Sequence, residues 1–499
     1  MYLLGYDIGS SLIKAALVDV ATGKDLAIVQ SPATEMKINA PQSGWAEQDP
    51  EVWWEHVCRA TQSLLSQYPD AVDKIKGIGI AYQMHGLVLV DKEQQVLRPS
   101  IIWCDSRAVE IGNKAFEEMG KKHCLEHLLN SPGNFTASKL KWVRDKEPEI
   151  YQRIHKMMLP GDYIAMKLTG EILTTISGLS EGMFWDFKNK TLSEDLLNYY
   201  GIDKKLIPEF RDTFSIQGKV SPAAAKVLGL NAGIPVAYRA GDQPNNALAL
   251  NVFNPGEVAA TGGTSGVVYG VVDAAVCDLQ SRVNGFAHVN HTQSEQRIGI
   301  LLCINGAGSQ YRWLKHQVAS SDMDYAEMEK LAAEIPVGSE GLRVVTFGNG
   351  AERVLANTEV GAQIKNLNFN MHTKAHLFRA GLEGIAFSFV YGMRLMQKMG
   401  LHLSVIRVGN DNLFQSKIFS ETIATLVDSK IEVQRTTGAV GAAKGAGVAT
   451  KVYPDLKTAM GTNEVILTYL PLEDKAAYDL AYEAWETDLE LLLRSRADK

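Results

Sequence analysis

Asp242 stands alone in the stretch "RAGDQPNNALAL", directly after a glycine that closes an apolar, strand-like run. Such a carboxylate has two obvious uses. It can cap the helix that the following residues predict. It can also face a ligand, because α/β proteins bind ligands beyond the carboxyl ends of their strands. Phosphoryl transfer has a place for a group of this kind: a base that orients the attacking hydroxyl and takes its proton, while positioning and charge neutralisation supply most of the rate. A base in that position contributes ~10²–10⁴ in rate.

Two glycine-rich turns offer what the other side of that chemistry needs. In "YDIGSSLIK", Gly9 lets an anion approach the backbone, Ser10 and Ser11 add hydroxyls, Lys14 adds charge, and Asp7 at the strand end can hold a magnesium ion through water. In "ATGGTSG", Gly263, Thr264 and Ser265 repeat the pattern. Neither is a P-loop, since G-x-x-x-x-G-K-[ST] is absent around them. By itself the first reads more readily as an ordinary β-turn and the second equally as a flexible hairpin, but a triphosphate held between two lobes needs donors from both sides. A third turn, "VGNDN", begins at Gly409 and Asn410 and leads into a helix whose start can host a nucleotide. A fourth, "QMHG", offers Met84 as an apolar wall and His85 as donor and acceptor for a polyol, although a histidine in a turn is commonly structural.

The elements that must position these turns follow from periodicity. "YLLGYDI", "LIKAALVDV" and "KDLAIVQ" are β-rich and separated by turns. "PEVWWEHVCRATQSLLSQY" predicts a helix with Asp49 as N-cap, Pro50 at its first position and an apolar stripe of Val52, Trp53, Val57, Ala60 and Leu64. "IKGIGIAY" predicts a buried strand before "QMHG". Alternating strands and helices define an α/β layer fold. "VAATGGTSGVVYG" repeats the design of "GYDIGSSLIKAAL", which suggests an internal duplication with a boundary near residues 244–256. The small residues of "GAVGAAKGAGVA" are expected to serve close helix packing.

With 499 residues the chain is too long for one core, so two large domains are expected, residues 1–245 and 246–499. A formal net charge of −7 argues against nucleic acid or an anionic membrane as the partner. Five scattered cysteines show no metal or redox spacing and read as reduced thiols. The start "MYLLGYDIGSS" lacks a basic leader, and no apolar run is long enough to span a bilayer, so a cytoplasmic location is expected.

Together "LGYDIGSSLIKAAL", "SGWAEQDPEVWWEHVCRA", "GIGIAYQMHGLVLVD", "VLRPSIIWCDSRA" and "HLFRAGLEGIAFSFVYGM" resemble, in this order, the FGGY family of carbohydrate kinases, with "QMHG" matching its xylulose-phosphorylating branch. That resemblance covers nearly the whole chain. It implies a two-domain actin-like, hexokinase-type (ribonuclease H-like) fold with the active site in the interdomain cleft. It further implies ATP and Mg2+ as cofactors, a small-molecule sugar as substrate, and a homodimer. Asp242 becomes the base. Met84, His85, Gln243 and Asp105 fall on the sugar side, with Arg107 beside Asp105. Asp7, Ser10, Ser11 and Lys14 form the first phosphate turn, Gly263, Thr264 and Ser265 the second, and Gly409 and Asn410 the nucleoside turn. The implied reaction is phosphorylation of the terminal hydroxyl of D-xylulose. Another ketose or polyol, or a non-catalytic nucleotide-dependent sugar-binding or assembly protein, are the alternatives. Three stretches depart from the family pattern: "GNDN" at the nucleoside turn, "GDQPNN" after the base, and "GNGAERVLANTEV", in which Glu352 and Arg353 keep part of a longer motif.

Overall fold

Three apolar segments with short polar breaks fold back on one another as an antiparallel meander: β1 (Tyr2–Ile8), β2 (Ile13–Asp19) and β3 (Asp25–Ser31). The structure, a computed structural model, describes residues 1–410 and 412–497. Helix α1 (Pro50–Gln67) follows, capped by the Asp49 side chain accepting from the Glu51 amide and started by Pro50. Trp53, Val57, Ala60 and Leu64 are buried as its periodicity demands, but Val52 is 37% exposed; Cys58, Thr61 and Leu65 complete the buried face instead. Strands β4 (Ile75–Tyr82) and β5 (Val236–Gly241) then add in parallel, giving the order β5-β4-β1-β2-β3. Between β4 and β5 lies a largely helical insertion that ends its short helix α2 (Ile176–Glu181) close to the strand ends. Helix α3 (Asp242–Ala249) leaves β5.

The second half repeats this plan. β6 (Glu257–Gly262), β7 (Gly266–Val272) and, after the edge strand β8 (Asn284–Ala287), β9 (Ile298–Ile304) form the antiparallel part. Helix α4 (Gly308–Gln317) starts the second insertion, and β10 (Val405–Gly409) and β11 (Ile431–Arg435) add in parallel. The core order β9-β7-β6-β10-β11 matches that of the first sheet, with β8 and β12 (Glu464–Tyr469) at the edges. The duplication suggested by the two hairpins is therefore one of topology.

Helix α5 (Gly438–Ala449) follows the last parallel strand of the second sheet yet packs on the first, across β1, β4 and β5 and against α3. Its approach is too close for side chains. A Cβ on Gly5 would lie 1.9 Å from the Ala439 carbonyl oxygen, and one on Gly79 1.9 Å from that of Ala442. The small residues are thus a packing device that binds the two halves along the floor of the cleft. Helix α2 makes a second connection: the Ser177 hydroxyl donates to the Ala287 carbonyl (3.0 Å), and the Ala287 amide donates to Ser180 Oγ (2.9 Å). No helix among the described residues is long and apolar enough to cross a membrane.

Candidate active site in the cleft

Strand register sets the geometry. Ile8 pairs with Tyr82 and Tyr82 with Gly241, so β1, β4 and β5 end level with one another. Asp7, the "QMHG" turn and Asp242 therefore emerge from adjacent parallel strand ends, spaced by about 4.8 Å per strand. Gly241 caps α3 and Asp242 is its first residue, so the carboxylate is not consumed as a helix cap. Gly241 has to be small. A Cβ there would meet Met84 Cγ at 2.6 Å and Glu181 Oε2 at 2.7 Å.

Burial, and then the charge of Asp7, push the Asp242 carboxyl up to about 7, while the amides of Gln243 and of Asp242 itself pull the other way. Burial also raises Asp7, and Lys14 opposes it from directly across the β1–β2 ladder. Asp7 points at the start of α5, since a Cβ on Gly438 would lie 2.7 Å from Asp7 Oδ2 and 2.9 Å from Asn246 Oδ1. Asn245, part of the departing "GDQPNN", donates to the Gly438 carbonyl (2.9 Å) and ties α3 to α5.

His85 has φ +62, a left-handed position that the Lys139 ammonium stabilises by donating to its carbonyl (2.8 Å) and to that of Ile102 (3.0 Å). Its Nδ1 is 3.0 Å from the Glu181 carbonyl, so Nδ1 carries the hydrogen and Nε2 is left as an acceptor. Burial, then Lys139, lower its pKa to about 3, which keeps the ring neutral. Phe135 and Phe286, one from each half, flank the ring at 4.8 and 5.5 Å. Arg353, from the second half, donates to Asn284 Oδ1 (3.0 Å) and its charge reaches His85 and Cys303. Glu352 is buried and accepts from the amides of Asn305 and Gly306.

Asp105, expected on the sugar side, lies inside the wall of the cleft. It is fully buried, accepts from the Ala46 amide (2.6 Å) and is paired with Arg107 (2.7 Å), whose guanidinium lies 3.8 Å from the centre of the Trp45 ring and also reaches Glu47. Both oxygens are spent holding the wall together. In the first turn Gly9 donates to Leu12, the Ser10 hydroxyl accepts from Trp103 Nε1 (3.2 Å), and the Ser11 carbonyl accepts from Met36. In the second, the carbonyls of Gly263 and Thr264 accept from Gly308 and Ser309 at the start of α4, both at 3.1 Å.

Beside that second turn is a cavity of about 570 Å³ lined by Gly263, Thr264, Tyr311, Arg312, Tyr325, Glu329, Gln415 and Ser416 among others. Its size suits a nucleoside. Gly409 and Asn410 lie at the end of β10 without lining it; Leu413, Gln415 and Ser416 form that wall, and Asp411 lies outside the described residues. Sequence reading missed Tyr311, Arg312 and Tyr325, which carry no motif. Among the described residues no three His, Cys, Asp or Glu converge as a protein-built metal site. A magnesium ion held by one carboxylate, water and phosphate oxygens fits what Asp7 offers.

Two duplicated sheets, a cleft between them, turns at facing strand ends and a poised carboxylate define a two-lobed phosphotransferase of the actin–hexokinase type. Residues 2–249 match the N-terminal domain, and residues 258–450 the C-terminal domain, of the FGGY family of carbohydrate kinases, and the chain belongs to that family. It is 28% identical to the xylulose kinase of Escherichia coli (strain K12), over 99% of this chain and 98% of that one. Against the xylulose kinase of Staphylococcus xylosus the identity is 28% over 86% and 88%. Among solved structures, the xylulose kinase from Rhodospirillum rubrum superposes with a TM-score of 0.90 at 25% identity, covering 99% of each chain. Plasmodium falciparum glycerol kinase with ADP shares the fold at a TM-score of 0.88 and 20% identity, covering 99% of this chain and 98% of that one.

Proposed function

We propose that this sugar kinase transfers the γ-phosphoryl group of ATP, as its magnesium complex, to the terminal hydroxyl of D-xylulose. One observation carries the reading: Asp242 is held at the start of α3, directly after the Gly241 that packs on Met84, and close enough to feel the charge of Asp7, with its carboxyl raised to about 7. Relatives named xylulose kinase, aligned over nearly the whole chain, support the choice of sugar.

Asp242 Oδ accepts the proton of the attacking hydroxyl as the oxygen–phosphorus bond forms. His85 Nε2 accepts a hydrogen bond from a second hydroxyl, and Met84 packs on the carbon chain. Ser10, Ser11 and Lys14 on one side, and Gly263, Thr264 and Ser265 on the other, hold the phosphates, with the nucleoside in the cavity between Tyr311 and Ser416. Asp7 would hold magnesium through water, and the ion would supply neutralisation of phosphate charge. Closure of the lobes excludes water, which limits wasteful hydrolysis of ATP.

A second reading, a different ketose or polyol, is favoured by the altered wall at Asn245 and by the buried Glu181 beside Gly241. A panel of D-xylulose, D-ribulose, L-fuculose and glycerol with MgATP and coupled ADP detection decides between them. Highest kcat/KM for D-xylulose is expected. A higher value for any other member replaces it as the substrate, and ADP release that no sugar stimulates overturns the kinase reading.

A further inference from the structure

Glu181 ends the short helix α2 and is only 1% exposed, yet neither carboxyl oxygen has a well-formed hydrogen bond, and the nearby Tyr82 hydroxyl makes at most a weak one. Its Oε2 lies 2.7 Å from the point a Cβ of Gly241 would occupy, next to the Met84 side chain and one residue from Asp242. The Tyr82 hydroxyl faces it, also without a well-formed partner. Buried carboxyls in folded proteins are ordinarily paired, because desolvation without compensation is costly. Here the obvious cation is engaged elsewhere: Lys139 donates to two backbone carbonyls. Asp162, whose charge also reaches Glu181, is paired with Arg239 at 3.0 Å. Glu181 thus has acceptors to spare at the point where its own backbone carbonyl fixes His85 and its side chain touches the wall of the base.

We infer that Glu181 is a specificity-determining residue of the sugar pocket, whose carboxyl hydrogen-bonds a hydroxyl of a neutral ketose or polyol other than the one that is phosphorylated. The inference rests on the reading of this cleft as the sugar site. A bound hydroxyl completes the missing pairing, and the neighbouring Asp242 makes an anionic sugar acid a poor occupant. Burial raises the Glu181 carboxyl well above its ordinary range, opposed by the Tyr82 hydroxyl and reinforced by Asp242 and Asp162, which favours the protonated form, able both to donate and to accept.

The test compares wild type with Glu181→Leu and Glu181→Gln on the best sugar of the panel. Loss of a hydrogen bond to such a group predicts a sugar KM raised roughly 10- to 100-fold in Glu181→Leu, with Glu181→Gln between it and wild type and the KM for ATP within about twofold. Wild type is expected to use D-gluconate less efficiently than the neutral sugar. A sugar KM in Glu181→Leu within twofold of wild type, or an equal rise in both KM values, overturns the inference, and preference for D-gluconate overturns its charge selectivity. Removing an unpaired buried carboxyl also predicts a higher melting temperature for Glu181→Leu. If wild type turns over no sugar, the kinase reading fails by itself, and the melting temperature judges the residue: a fall shows a structural role and overturns the inference, and a rise supports a carboxyl held for a ligand.

Discussion

Between pH 6 and pH 8 this enzyme is expected to gain activity and to lose stability for the same reason. The Asp242 carboxyl is raised from an ordinary 3.8 to about 7, first by burial and then by Asp7. A base with that midpoint is about one-tenth ionised at pH 6 and about nine-tenths at pH 8, so kcat/KM for the sugar rises roughly tenfold across the interval. His85, lowered to about 3, stays neutral throughout and contributes no limb of its own. Stability moves the opposite way. A carboxyl whose pKa is higher in the folded chain binds its proton more tightly there, so its contribution is present below 3.8 and is lost as the pH climbs through about 7. Asp242→Asn removes that loss. The ceiling is ~4 kcal/mol at ~1.4 kcal/mol per pKa unit, and partial exposure reduces it to about 1–2 kcal/mol. At pH 8 the variant should therefore melt roughly 2–5 °C above wild type, with the difference gone near pH 4. Initial rates at limiting sugar and saturating MgATP, together with calorimetric melting curves of both proteins, measure the two effects. A flat kcat/KM between pH 6 and pH 8, or a variant less stable than wild type at pH 8, would refute a base poised by burial.

Two further outcomes test the surroundings of the base. His85→Ala removes the Nε2 acceptor and should raise the sugar KM about tenfold with little change in the KM for ATP, read from initial-rate kinetics. Gly79→Ala would bring a Cβ to 1.9 Å from the Ala442 carbonyl oxygen, a backbone clash that no rotamer relieves, so a loss of about 3 kcal/mol or more, or no soluble protein, is expected in denaturant melts.

Much of this site was legible because the chemistry is local in sequence. Asp7, Ser10, Ser11 and Lys14 sit on one hairpin, and the Asp49–Pro50 signal fixes the start of α1. The matched strand orders of the two sheets were foreshadowed by two similar glycine turns. What escaped was set by contacts between residues far apart in the chain. Glu181 ends a six-residue helix with no motif, and it is the packing of that helix on β5 that brings it under Gly241. The burial of Asp105 was hidden because the Ala46 amide that donates to it lies far away in the chain and meets it only in the fold. Small residues in "GAVGAAKGAGVA" announced close packing, but not that the surface they meet belongs to the other half. The cavity beside the second turn draws on Tyr311, Arg312 and Tyr325, whose types are ordinary on helix surfaces.

The most direct measurement of the central claim is turnover and sugar binding by Asp242→Asn, side by side. Calorimetric binding of D-xylulose within about threefold of wild type, with kcat lower by ~10² or more, is the predicted result for a group that takes a proton in the transition state. A kcat within a few-fold of wild type would contradict it and would remove Asp242 from the chemistry.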